Sequence, residues 1–136
     1  MFGETATGEN MTAPEHFETT EAYSCYRLSG DGPLEEAAHK VIEAIAFSRE
    51  QGIRNLLVDT THWTGHPNPT TFERFDWAEA FARAAHTQVK VAMIVRPEFM
   101  DPERFEVTVA RNRGLFGNVF DSEKDALDWL LNPKAA

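Results

Sequence analysis

Asp59, Thr60, Thr61, His62, Trp63, Thr64 and His66 stand almost side by side, directly after the apolar run Leu56-Leu57-Val58. An acid, hydroxyls and imidazoles at such close spacing could move protons, accept a phosphoryl group or hold a polar ligand. The abrupt change from apolar to polar is that of a buried parallel strand delivering side chains to the carboxyl edge of a sheet, where open α/β folds keep their working surface. Three chemistries deserve weighing at this edge. Thr60, Thr61 and Thr64 are candidate phosphoacceptors or switch residues, because a phosphate beside a helix start would make or break a docking surface. The alternative is that they satisfy local backbone hydrogen bonds. His62 and His66 lie four apart near Asp59, but Gly65 and Pro67 disrupt any shared helical face and no third ligand is evident, so they read as loop histidines and no metal is expected. Trp63, a large aromatic in a polar stretch, either folds back over the core or meets a ligand or partner.

The elements that must position these residues can be read from periodicity. Thr20 to Ser29 has strand composition, with a short extended piece around His16 to Thr19 before it, and Gly30-Asp31-Gly32-Pro33 breaks it. Leu34, Ala37, Ala38, Val41, Ile42 and Ile45 recur at helical spacing, and Gly52 ends that helix. A strand over Ile53 to Asp59 follows. The loop through Gly65, Pro67 and Pro69 leads to a second helix over 70–85, whose Thr70-x-x-Glu73 is a capping box. Gln88 to Val95 reads as the next strand, ended by Arg96-Pro97. Asp101-Pro102 has the order of a helix start, for a helix reaching Arg111 or Arg113 before Gly114. Gly117 to Phe120 makes a short strand, and Asp121 or Ser122 caps a last helix carrying Ala126, Leu127, Leu130 and Leu131. The expected fold is α/β: a single-domain, mostly parallel sheet of four to five strands with about four helices.

Composition narrows the function classes. The chain has 136 residues, enough for one core, and a net charge of −9 that disfavours nucleic acid, since phosphate contacts need a basic stripe. Residues 1–36 hold eight acids against Arg27 alone, so residues 1–14 read as a disordered acidic leader before a domain over 15–136. The single cysteine, Cys25, lies among strand residues and excludes an intramolecular disulfide. With no transmembrane run and no secretory start, a cytoplasmic location is the default expectation. Neither Gly-x-Ser-x-Gly nor a phosphate-cradling loop is present, which weighs against an enzyme. Arg104, Arg111 and Arg113 form the most basic stretch, either a solvated face or the flank of an anionic ligand or of a second copy of the chain.

Several segments occur in a familiar order: Gly-x-x-x-Leu-Leu-Val-Asp over 52–59, Val91-Ala92-Met93-Ile94-Val95, Val109-Ala110-Arg111-Asn112-Arg113-Gly114, and Val119-Phe120-Asp121 followed by Ala126-Leu127-Asp128-Trp129-Leu130. Together they resemble the small bacterial STAS-like proteins, the SpoIIAA-like or STAS/SEC14 group, over roughly Tyr23 to Leu131. The resemblance implies a four- or five-stranded sheet covered by helices, no cofactor, and a protein that binds rather than catalyses. In the antagonist branch a Ser or Thr after a central strand is the switch read by an anti-sigma kinase. The matching segment here departs from the usual Asp-Ser-Ser-Gly, and Thr64-Gly65 is only a loose counterpart.

Three readings therefore stand. The first is a regulatory protein-interaction module, possessing a Thr switch and a protein partner such as an anti-sigma-type kinase, with a homodimer as one arrangement. On it, Thr64→Asp or Trp63→Ala would alter a complex and leave thermal stability nearly intact. The second is a carrier or sensor of a small apolar or anionic ligand between helix 70–85 and the carboxyl edge, lined by Trp63, His66, Phe72 and Arg96. The third, an uncharacterised hydrolase, would use Asp59 and His62. The residues at stake for binding are Asp59, His62, Trp63, His66, Phe72, Arg96, Arg111 and Arg113.

Overall fold

The computed structural model describes residues 12–101 and 103–134. The expected leader falls mostly on residues 1–11, outside the described residues. Strands β1 (Phe17–Thr19), β2 (Ser24–Asp31), β3 (Asn55–Thr64), β4 (Lys90–Ile94) and β5 (Phe116–Phe120) form one sheet in that spatial order. β1 is antiparallel to β2, and every later pairing is parallel. Helices α1 (Leu34–Glu50), α2 (Thr71–Ala85), α3 (Phe105–Asn112) and α4 (Glu123–Leu130) alternate with the strands, and a short 3₁₀ turn covers Pro97–Phe99. The fold is thus α/β, with a mixed, mostly parallel sheet and four helices among the described residues.

Because each parallel strand lies directly beside its predecessor, every crossover of one handedness deposits its helix on the same side. Accordingly Val41, Ala44 and Ile45 of α1, Ala78, Ala82 and Ala85 of α2, and Val109 and Ala110 of α3 share one core with Tyr26, Leu28, Leu56, Val58 and Val91. The opposite face carries Cys25, Leu57, Ala92 and Ile94, covered by Ala126 and Leu130 of α4. Alternation along β3 assigns Leu56 and Val58 to the first face and Leu57 to the second, the two-residue period of a strand buried on both sides. Lys90 ties α4 down, its Nζ donating to the carbonyl oxygens of Trp129 at 3.1 Å and Asn132 at 2.9 Å, where the helix end leaves acceptors unpaired. No helix among the described residues is long and apolar enough to cross a membrane.

The capping box of α2 forms as its residue types require: the Thr70 hydroxyl accepts from the Glu73 amide and the Glu73 carboxylate accepts from the Thr70 amide. The largest departures from expectation are at β2, which runs from Ser24 through Gly30 to Asp31 instead of breaking at Gly30, at β3 and at the third helix. β3 does not end at Asp59 but continues to Thr64, because β2 also runs on to Asp31 and supplies a pairing edge: Ser29 opposite His62, Gly30 opposite Trp63, Asp31 opposite Thr64. The threonines, His62 and Trp63, all expected in a loop, are strand residues. The third helix starts at Phe105 rather than at Asp101-Pro102. Asp101 instead accepts from the Glu103 amide at 3.2 Å, and Arg104 takes a left-handed backbone (φ 54°). Its guanidinium donates to the Asn118 side chain and the Val119 carbonyl, so contacts with β5 decide where this helix begins.

Candidate functional site

The extension of β3 contains an irregularity that shapes the site. Between the Arg27–Asp59 and Ser29–His62 pairs, β2 places Leu28 alone while β3 places Thr60 and Thr61, a bulge that exchanges the two faces to which the following β3 side chains point. Trp63 is thereby turned onto the face covered by α1, α2 and α3. Its ring is 3% exposed, and its Nε1 donates to the Gly32 carbonyl at 3.1 Å. A side chain at Gly30 would meet it, since an ideal Cβ there lies 2.7 Å from Cζ3 of Trp63, at a backbone φ of +146°. Glycine is what lets the indole lie flat on β2. The expectation that Trp63→Ala spares stability is overturned by this burial.

Beside Trp63 the helix-covered face opens into a cavity of about 170 Å³. Its walls explain its existence. Ala37 and Ala38 of α1, Ala78 of α2, Ala110 of α3 and Gly117 of β5 all offer small side chains or none, so the helices and the sheet are held apart by the aromatics Trp63, Trp77 and Phe81 without filling the centre. Met93 and Val95 line it too and are only half-buried, although Met93 is mid-strand with strands on either side. The walls are almost wholly apolar. At the sheet's carboxyl edge the lining turns polar and cationic, with His66, Arg74 and Arg96 beside Phe99. Phe99 packs against the His66 ring at 4.5 Å and under the Arg96 guanidinium at 4.8 Å. His66 Nδ1 is 2.9 Å from the Pro67 carbonyl oxygen, which can only accept, so Nδ1 carries the proton in that bond.

The other residues singled out from the sequence do not converge on this cavity. Asp59 lies on the opposite face, where Oδ2 accepts from Arg27 at 2.9 Å and Oδ1 accepts from the Thr61 hydroxyl at 2.6 Å and amide at 3.0 Å. Arg27 also reaches Glu123 at the start of α4. Thr60 lines the cavity with its hydroxyl donating to the Ile94 carbonyl at 2.8 Å, and Thr64 donates to Asp31 at 2.9 Å. His62 is exposed, and no hydrogen bond joins it to Asp59 among the described residues. Phe72 is 72% exposed and turned away from the cavity. Arg111 is exposed, while Arg113 pairs with Glu79 at 2.7 Å. Among the described residues no His, Cys, Asp or Glu cluster is arranged to hold a metal ion.

The chain matches no family model, no curated protein and no solved structure. From the sequence Trp77 is an apolar-face residue of the second helix and Met93 a buried strand residue, neither assigned to a site, and Arg74 is not singled out. Arg74 could have been found by helical spacing, since it stands four and seven positions before Ala78 and Phe81 on one stripe of α2. Met93 gives no such sign, because a cavity beside a strand is invisible in its alternation.

The Asp59 network makes stability depend on pH. Burial alone would raise the carboxyl's pKa, but the hydrogen bonds from Thr61 and Arg27 outweigh it and hold the group below its ordinary value. A depressed carboxylate contributes stability that is complete above the unfolded-state pKa and disappears as pH falls through the folded one. Asp59→Asn should accordingly cost about 1–2 kcal/mol at neutral pH, less than a fully buried pair because Arg27 is well exposed and keeps Glu123. It should also flatten the acid side of the stability curve. Urea titrations of both proteins between neutral and acid pH would check this, and parallel curves would show that Asp59 is not the coupled group.

Proposed function

We propose that the protein is a non-catalytic binding module that takes a small apolar molecule into the cavity beside Trp63, as a carrier or a sensor. The observation that carries the reading is the cavity itself. An apolar cavity of roughly 150 Å³ in a protein core accommodates a benzene-sized molecule, and this one is slightly larger, at about 170 Å³. It opens at the carboxyl edge of the sheet, where open α/β folds bind ligands. A close-packed core of this size has no structural use for such a space, which costs stability in proportion to its volume.

The family reading we favour is STAS-like, on the SEC14 side of that group. What supports it is the run of elements, a short antiparallel edge strand followed by four parallel strands alternating with helices. The competing reading, a phosphorylation switch, drew on threonines in a loop. Thr60, Thr61 and Thr64 instead belong to β3, and each hydroxyl has a partner within the fold. Hydrolysis by Asp59 and His62 finds no support in a carboxylate occupied by Arg27 and Thr61 on the far face of the sheet.

Native mass spectrometry of protein purified from its own host tests the reading. A retained mass that is released on unfolding supports it. A bare chain that also gains no thermal stability in toluene-saturated buffer would overturn it, because a ligand confined to the native state must raise the unfolding temperature.

A further inference from the structure

The charges around the cavity run against the composition of the chain. The protein has 22 acidic residues against 13 basic ones, yet no Asp or Glu lines the cavity among the described residues, where the charged or titratable groups are Arg74, Arg96 and His66. All of them come from the carboxyl edge: His66 follows β3, Arg74 belongs to the first turn of α2, and Arg96 follows β4. An apolar body with cationic groups gathered at one end is the complement of a molecule with an apolar body and an anionic end.

We propose that the ligand of this cavity is a small carboxylic acid with a single ring or a short aliphatic body, its carboxylate held by Arg96. The inference rests on the binding reading above and adds the chemical class. Arg96 suits the role by its own surroundings. Its guanidinium lies over the Phe99 ring at 4.8 Å, a contact that restrains the side chain, and a planar guanidinium can present paired N–H groups to a carboxylate. Among the described residues its counter-ion is Glu98, whose Oε2 is 3.7 Å from Nε, beyond hydrogen-bond distance, with a side chain 62% exposed. A ligand carboxylate would replace that loose contact with a direct, less solvated one. Glu98 is thus a competitor at the rim, weak enough to yield.

The cavity volume selects the body. About 170 Å³ admits one ring, so phenylacetate and its neutral isostere phenylacetamide are the probes. Isothermal titration calorimetry on the full chain should give phenylacetate at least about tenfold tighter binding than phenylacetamide, the scale of a charge-assisted hydrogen bond. Arg96→Gln should erase that preference while leaving phenylacetamide within about twofold. Glu98→Gln, on the exposed rim, should tighten phenylacetate and leave phenylacetamide unchanged, a gain that loss of structure cannot produce.

Equal binding of both probes by the wild type would overturn the carboxylate and leave the apolar cavity standing. Parallel weakening of both in Arg96→Gln, with no gain in Glu98→Gln, would remove Arg96 from the role. Failure of both probes to bind at millimolar concentration would sink the inference together with the binding reading beneath it.

Discussion

Trp63→Ala should lower the unfolding free energy by about 3–5 kcal/mol, the range for deleting a buried large aromatic. The physical reasons are additive in kind. The indole is buried to 3% exposure, packs on the bare backbone of Gly30, and satisfies the Gly32 carbonyl through Nε1. Alanine would forfeit the ring's burial and that hydrogen bond, and would enlarge a cavity that already lies alongside, so neighbouring groups have little to collapse onto. In thermal terms the loss corresponds to on the order of 10 °C for a domain of this size. Trp63→Phe isolates the components, since it keeps a ring against Gly30 and removes only the donor, and should cost about 1–2 kcal/mol. Denaturant unfolding followed by far-UV circular dichroism measures both. A loss below 1 kcal/mol for the alanine variant would mean that the indole is not part of the core, and the bulge at Thr60-Thr61 would no longer explain its placement.

That bulge is also where the sequence ceased to be readable. The apolar stripe of α1, the capping box of α2 and the run Leu56-Leu57-Val58 are local patterns whose period or residue type dictates the backbone, and each yields the observed element. The continuation of β3 past Asp59 depends on an edge offered by Ser29 to Asp31, a partner far away in the chain. Nothing in Thr60-Thr61 announces that two residues will oppose one. With an unbroken alternation Trp63 would have faced α4, beside Asp59; the extra residue moves it to the cavity side. The start of α3 failed in a related way. Asp101-Pro102 is a sound local cap, but Arg104 is held by Asn118 and Val119 of β5, and tertiary contacts override a preference worth about 1 kcal/mol. The cavity was the least legible feature of all, because it arises from small residues on four separate elements meeting in space. Trp63, His66 and Arg96 could be named in advance from their position at a strand's end. Ala78, Ala110 and Gly117, which make the space they border, carry no mark of that role.

Those small residues supply the other large effect. Ala78→Leu should weaken phenylacetate binding on the order of a hundredfold, equivalent to about 2.7 kcal/mol, while leaving the fold intact. Ala78 is buried on α2, lies one helical turn beyond Arg74, and borders the cavity, so an isobutyl group there projects into the space the ligand's apolar body would use. Ordinary core alanines resist such enlargement, since overpacking costs about 1–3 kcal/mol. Here the added methylene and methyl groups find room and apolar neighbours, and burial at about 0.8 kcal/mol per carbon offsets the lost rotamer freedom. Stability should therefore stay level or rise by up to about 2 kcal/mol. Ala110→Leu approaches the same space from α3 and should act alike, which guards against a local clash at one position. The joint outcome is diagnostic: a stabilised protein that no longer binds identifies the cavity as the site, because a ligand held on the outer surface would be indifferent to its filling. Undiminished affinity in both leucine variants, with stability raised, would place binding elsewhere on the molecule.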